Sequence, residues 1–259
     1  MSWRVRRVLL ALALAVAAIA PVHGQELEQA RALYDQGVML KAAELARGSG
    51  TADGYALAAQ ATLVAAIYQA RGGPEGALLR QAADDARAAL AIDPNNLQAT
   101  LDLALALGHI AEGNPIEAHL DGTAEEGKAL LERALALAPD SAWAHGMMGI
   151  WHLRVVKHAG PMLAESLYGA SLEQGREECV RAESLAPEVP ALRFGCAISL
   201  LEADPKRYAD QAMAALDTVA RLPAGDAAAQ LIQAEAQRRL DALKSGGLED
   251  LQEEPRDRN

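Results

Sequence analysis

The sequence predicts an all-α fold, a right-handed solenoid of antiparallel helix pairs whose central units are enlarged. Three observations carry that prediction. Alanine supplies 58 of 259 residues, aromatic residues only 3%, and Phe occurs once. Helices of that composition close on one another across small side chains, and a sheet would lack the β-branched and aromatic residues its faces need. Beyond the N-terminus no stretch alternates cleanly between apolar and polar residues. The third observation is a recurring thirteen-residue phrase ending in proline: Ala82 to Pro94, Gly127 to Pro139 and Gly175 to Pro187. Each phrase has a small residue twelve before the proline (Ala82, Gly127, Gly175), a contact residue eight before it (Ala86, Leu131, Cys179) and an Ala five before it (Ala89, Ala134, Ala182). Those offsets fall near one helical face. Proline lacks the backbone N–H and restricts its predecessor, so each helix closes there and the next begins.

The elements follow in order. Residues 1–24 read as a signal peptide: Arg4, Arg6 and Arg7 precede a 13-residue apolar run, Val8 to Ala20, too short to span a bilayer comfortably. Val22-His23-Gly24 places cleavage after Gly24, and the next residue is Gln25, not a Cys that could take a lipid anchor. The expected location is the periplasm, with no stable membrane insertion after cleavage; the alternative reading of the segment is an uncleaved N-terminal anchor. Removing this segment takes three Arg and no acid from a chain of net charge −11, leaving −14. With no Lys/Arg cluster interleaved with aromatics after Arg7, nucleic acid is not an expected partner.

Residues 25–52 form an N-terminal helical cap, in which Glu26 to Arg47 is one long helix or a bent pair docking through Leu27, Ala30, Leu33, Tyr34, Val38 and Leu45. Gly48-Ser49-Gly50-Thr51 is expected to be a flexible break. The solenoid proper covers 53–244, starting with Tyr55 to Ala70. Partner helices follow each proline, with stripes Leu97, Leu101, Ala104, Leu105, Gly108, then Trp143, Met147, Ile150, Trp151, then Leu192, Cys196, Leu200. Tyr208 to Arg221 and Ala227 to Lys244 make a last pair, and 245–259 is expected to be a flexible acidic tail. Such units cannot bury their apolar faces alone and must stack.

The phrase resembles the tetratricopeptide repeat (TPR) family, whose second helix commonly closes with Ala-Leu-x-x-x-Pro. The matching strings are Ala89-Leu90-Ala91-Ile92-Asp93-Pro94, Ala134-Leu135-Ala136-Leu137-Ala138-Pro139 and, with Glu183 in place of Leu, Ala182-Glu183-Ser184-Leu185-Ala186-Pro187. The family's Tyr and large aromatic are mostly absent, and the Gly of its first helix is clear only at Gly149. The resemblance covers about residues 55 to 223. Around residues 140 to 205 the strings His145-Gly146-Met147-Met148-Gly149-Ile150-Trp151-His152 and Leu163-Ala164, followed by the Ala182 to Pro187 closure, look like the regulator of microtubule dynamics family. That resemblance implies a helical, non-enzymatic architecture. Some members associate with microtubules, a role not carried over to a chain read as exported.

The prolines are not evenly spaced. Pro94, Pro139, Pro187 and Pro223 lie 45, 48 and 36 residues apart, against about 34 for a regular unit. Two central units thus carry extra residues. One insertion fits His109 to Thr123; the other fits Val155 to Ser171, broken at Gly160-Pro161 and with a short helix around Met162 to Tyr168. A regular solenoid places both on related edges, where they are the first candidates for a partner-specific surface.

Chemistry is sparse. His145, His152 and His158 carry the donor type for zinc or copper, with His109 and His119 flanking the first insertion, but there is no His-Glu-x-x-His string and no carboxylate pair at ligand spacing. Gly-x-Ser-x-Gly and phosphate-binding glycine loops are absent too. No catalytic residue, metal site or cofactor is assigned. Cys179 and Cys196 are expected to sit on touching helices, either as a disulfide or as two buried free thiols. The candidate partner or ligand surface comprises His109, His119, His145, Met148, Trp151, His152, His158 and Tyr168. The leading functional expectation is a non-enzymatic periplasmic scaffold or adaptor binding a protein or peptide on a concave helical surface. One alternative is a small-ligand accessory protein associated with a transporter, its pocket enclosed by the insertions; another is a metal-dependent enzyme built on the three imidazoles.

Overall fold

The computed structural model describes residues 24–70, 73 and 75–245. The signal-peptide reading of 1–23 and the tail from 246 to 259 lie outside them. The described residues form helices α1 (24–35), α2 (Met39–Gly48), α3 (Ala52–Val64, prolonged by a π-helical turn, Ala65–Gln69) and α4 (Glu75–Ile92). There follow α5 (Leu97–Gly113), α6 (Pro115–Leu120), α7 (Thr123–Leu137), α8 (Ala142–Ala159) and α9 (Pro161–Leu163, prolonged by a π-helical turn, Ala164–Tyr168). The last four are α10 (Leu172–Leu185), α11 (Pro190–Ala203), α12 (Pro205–Arg221) and α13 (Ala227–Lys244). Among the described residues there is no strand, and no helix is long and apolar enough to cross a membrane.

Local chemistry sets the boundaries. The side chains of Thr51, Asn96, Ser141, Ser171 and Asp226 accept hydrogen bonds from backbone N–H groups in the first turns of α3, α5, α8, α10 and α13. Prolines open α6, α9, α11 and α12, where a missing N–H costs nothing. Gly37, at φ +81, turns the chain between α1 and α2, so the N-terminal segment is a bent pair. The Gly48 to Thr51 link is not the flexible break expected. Ser49 is buried and its hydroxyl donates to Ala46 O at 2.8 Å, while Thr51 caps α3. A short link that satisfies its own polar groups can be buried.

Successive pairs are α1/α2, α3/α4, α5/α7, α8/α10 and α11/α12, with α13 last. The nine register positions read from the proline phrases are all buried. Two of the small residues act as anticipated. A Cβ at Gly149 would lie 2.8 Å from both Cys179 Sγ and Gly175 O, and one at Gly175 would lie 2.7 Å from Leu153 Cγ, so α8 and α10 approach at a distance only glycine permits. Gly127 differs: nothing lies within 4 Å of a Cβ built there. Its smallness leaves space instead of admitting a neighbouring helix. Cys179 and Cys196 form a disulfide, Cα to Cα 5.8 Å, that ties α10 to α11. Closing a loop of 17 residues' separation is worth roughly 2–4 kcal/mol. The N-terminal pair shares one core with α3 through Ala30, Ala42, Ala46, Ala58 and Ala61, and Arg47 on α2 clasps the buried Asp85 on α4 with two bonds of 2.7 and 2.8 Å. The cap is thus a further stacked unit.

The two ends of the solenoid meet. Ala227, Ala228 and Leu231 of α13 pack with Met39, Val64 and Ala65 of the first helices. Farther along, Ile232, Ala236 and Leu240 join a core containing Tyr68, Phe194 and Ile198. The last helix therefore bridges α3 and α11 across the inner face. Part of the repeat surface is thus taken up by the chain's own last helix.

Candidate functional site: an apolar cleft between the insertions

Both insertions join the two helices of a pair, α5 to α7 and α8 to α10, so the stacking places them on the same edge. They touch there. His119 Nδ1 on α6 makes a hydrogen bond with the Tyr168 hydroxyl at the end of the second insertion, and their rings meet edge to face. Lys128 on α7 secures the junction. Its Nζ donates to Tyr168 O at 3.0 Å and lies 5.4 Å from the Trp151 ring centroid, and the Trp151 indole donates to Ala124 O at 3.1 Å.

Beneath this junction, between the C-terminal halves of α5 and α8, is a cavity of about 440 Å³. Its walls are apolar: Leu105 and Leu107 from α5, Leu131 from α7, and Met147, Ile150 and Trp151 from α8. The insertions add Ile116, Leu163 and Leu167. Gly127 lies in the wall, which accounts for the empty space at its missing Cβ. The mouth carries apolar side chains that a folded surface normally hides. Of the residues that line the cavity, Ile116 is 76% exposed, Leu163 54% and Leu167 59%. Three large apolar residues of the two insertions are thus left in contact with solvent at the cleft.

At one end the wall becomes charged. Arg154 Nε lies 3.2 Å from Glu112 Oε1, and His109 Nδ1 lies 3.5 Å from Glu112 Oε2. Burial, with the neighbouring Arg154 charge, pushes the His109 imidazole down to about 4, keeping it neutral near pH 7. Burial raises the Glu112 carboxyl, but the neighbouring Arg154 charge outweighs that effect and holds it below the usual carboxylate range. These groups balance one another and leave the cleft floor close to neutral.

The eight candidate residues divide evenly. His119, Trp151, His158 and Tyr168 line the cleft. His109 stands behind it against Glu112. His145 is engaged elsewhere, its Nδ1 2.6 Å from Glu178 Oε2 and its Nε2 2.8 Å from Pro139 O. His152 is buried, with its Nδ1 unpartnered, its ring edge-on to Trp151 and its basicity lowered by burial. Met148 belongs to the core between α5, α7 and α8, and the methionine facing the cleft is Met147. Trp143, placed with Met147 on one apolar stripe, is instead 44% exposed, because the stripe drifts off the core at the first turn of α8. His145 and His152, two turns apart, are about 10 Å separated along the axis and cannot share one ion. Among the described residues no three His, Cys, Asp or Glu side chains are grouped to hold a metal. Sequence reading missed Ile116, Leu163, Leu167 and Lys128; the first three were detectable as large apolar residues in otherwise polar insertions.

The architecture is that of a TPR-type α-solenoid. A thermophilic TPR protein of Thermus thermophilus superposes with a TM-score of 0.59 at 17% identity, over 83% of this chain and 99% of that one. The pilF protein of Pseudomonas aeruginosa superposes with a TM-score of 0.51 at 16% identity, over 92% and 100% of the respective chains. Within that class, the family model for regulator of microtubule dynamics protein 1-3 matches residues 26–244, and the chain belongs to that family. The family match is much wider than the 140 to 205 segment that carries the resemblance in sequence. No curated protein sequence matches the chain.

Proposed function

We propose that the chain is a non-enzymatic periplasmic scaffold that holds a segment of another protein in the cleft between its two insertions. The observation that carries this reading is the convergence of both insertions on a single apolar cavity with an exposed apolar mouth. Partner proteins anchor on surfaces of that kind by inserting a few large side chains into a preformed pocket. The repeats and the Cys179–Cys196 disulfide supply the rigid frame, and the insertions supply the specificity. Periplasmic location rests on the N-terminal Arg and apolar pattern and agrees with the presence of the disulfide. The family's descriptive name refers to microtubules, a partner outside the reach of an exported chain.

Gly127 offers a direct test. Because a side chain there points into free space in the cavity wall, G127L fills the cleft and leaves the helix contacts alone. Affinity purification from periplasmic extract is expected to recover the same partners with the intact chain and G127A, and to lose them with G127L. Retention of every partner by a folded G127L would overturn the proposal. A second reading, a small-ligand accessory protein coupled to a transporter, is favoured by the cavity's size, which falls in the usual range for ligand pockets. It predicts a small molecule carried by the intact protein and absent from G127L in native mass spectrometry.

A further inference from the structure

The two insertions are held over the cleft by unequal means. The first brings Pro115, Ile116, Ala118 and His119 of α6 to the cavity lining, yet Ala118 alone on that helix is buried. Glycines stand at both ends of it. Gly113 closes α5 and Gly122, at φ +78, precedes α7, and nothing lies within 4 Å of a Cβ built at either. The chain can therefore turn at both points without meeting another element. Among the described residues, the hydrogen bond shared by His119 Nδ1 and the Tyr168 hydroxyl is the one that joins α6 to another element. Raising α6 uncovers little apolar surface, because Ile116 is already 76% exposed and Leu120 79%. Tyr168 is fixed where α6 is not. Lys128 donates to its backbone oxygen at 3.0 Å, its ring stands edge-on to Trp151 with centroids 6.4 Å apart, and Ala164 and Ala170 on either side of it in the chain are buried.

From this asymmetry we infer that α6 is a lid on the cleft, hinged at Gly113 and Gly122, and that Tyr168 is its catch. The inference rests on the reading of the cleft as a binding site and deepens it by naming what controls entry. With the catch made, Ile116 and His119 close one side of the cavity and screen Trp151, Met147 and Ile150 within it. With the catch broken, α6 swings out as a unit, its first turn still capped by the Asn114 side chain accepting from the Glu117 N–H. The side chains of an occupant then enter. Lys128 is a positioning residue: it does not line the cavity and acts by holding Tyr168 within reach of His119. One exposed hydrogen bond shifts such an equilibrium by roughly fivefold. The open fraction is therefore set by the catch and responds to its removal.

A thiol in the cavity wall reports the lid. Both cysteines of the chain are joined in the disulfide, so G127C adds a single reactive thiol, with free space around it in the wall. Its labelling by N-ethylmaleimide in the full chain is expected to be slow, and roughly fivefold faster when Y168F removes the hydroxyl of the catch. K128M should accelerate it too. H119F should act as strongly as Y168F, and H119F/Y168F no more strongly than either alone, because both changes break one bond. A second thiol separates lid motion from unfolding: A86C is buried in the core shared by α3, α4 and α5, and Y168F should leave its labelling rate unchanged. Three results overturn the lid: labelling of G127C as fast as that of an exposed thiol, no acceleration by Y168F, or equal acceleration at both thiols. A folded G127L that keeps every partner overturns the scaffold reading instead, so the two failures are read apart.

Discussion

Asp102 shows how one side chain sets a condition on stability. It is buried on α5, with Oδ1 accepting from Gln98 Nε2 at 2.9 Å and Oδ2 without a partner. Burial pushes its carboxyl up to about 7, the Gln98 bond acting against that shift. The folded chain therefore keeps a proton that the unfolded chain releases near 3.8. The stability from this group is fully present below that value and is lost as pH rises from about 4 to about 7, at most ~4 kcal/mol for a shift of this size. His109 works in the opposite sense: with its imidazole held down to about 4, stability is lost as pH falls from about 6.5 to 4. D102N keeps an acceptor for Gln98 and removes the titration. Thermal melts should show the variant more stable than the parent at pH 8 and the two alike at pH 4; an equal shift at both would refute the assignment. None of this was legible beforehand. Asp102 sits among Leu101, Leu103 and Ala104 on a helix whose buried sector is wider than one stripe, and only the neighbouring helices decide which residues that sector covers.

At the scale of elements, the proline phrases told where helices close, and the irregular spacing told where extra chain must be accommodated. The extra chain lies within the two segments the spacing marked, though α5 and α8 run several residues into them, and the second carries the short helix expected around Met162 to Tyr168 while the first adds α6, which was not expected. The functions of the small residues were not separable by spacing alone. Gly127 and Gly175 occupy the same register position, yet one leaves a cavity open and the other admits a helix. The crossing at α8 and α10 gives the clearer prediction. A methyl group at Gly149 would meet the Gly175 carbonyl and the Cys179 amide, 2.8 and 3.0 Å from the added Cβ, and backbone cannot turn aside as a side chain can. G149A should cost about 1–3 kcal/mol, read as a lower denaturation midpoint in urea. G127A, at the same kind of helical position but facing space, should be neutral or stabilising by about 0.5–1 kcal/mol. Similar losses for both would show that helix crossings do not distinguish them.

At the scale of the molecule, the closure of the solenoid by α13 determines which surface is available. With the last helix lying against α2 and α3, the inner face is partly occupied by the chain itself, and the insertion edge remains open. The seam is narrow: a Cβ added at Gly37 would lie 3.0 Å from Ala227 Cβ. A228E puts an unpaired charge into that seam, beside Met39 and Ala65. Its expected effect is a drop of about 5 °C in Tm, together with faster hydrogen exchange in α1, α2 and α13. Exchange in α6 and α8 should be little changed, because the cleft is built from other units. Uniform acceleration throughout would mean that the ends are not a separate seam.

The sequence by itself determined that this chain is a helical array of small-residue crossings, where its units end, and which two segments exceed a regular repeat. Those properties are local: proline closes a helix and alanine permits close approach wherever they stand. Tertiary structure alone decided that the insertions meet over one apolar cavity, that Met147 and not Met148 faces it, and that α13 returns to the first pair. Each of these depends on the superhelical path accumulated over several units, through which residues such as His119 and Tyr168, forty-nine apart in sequence, become neighbours.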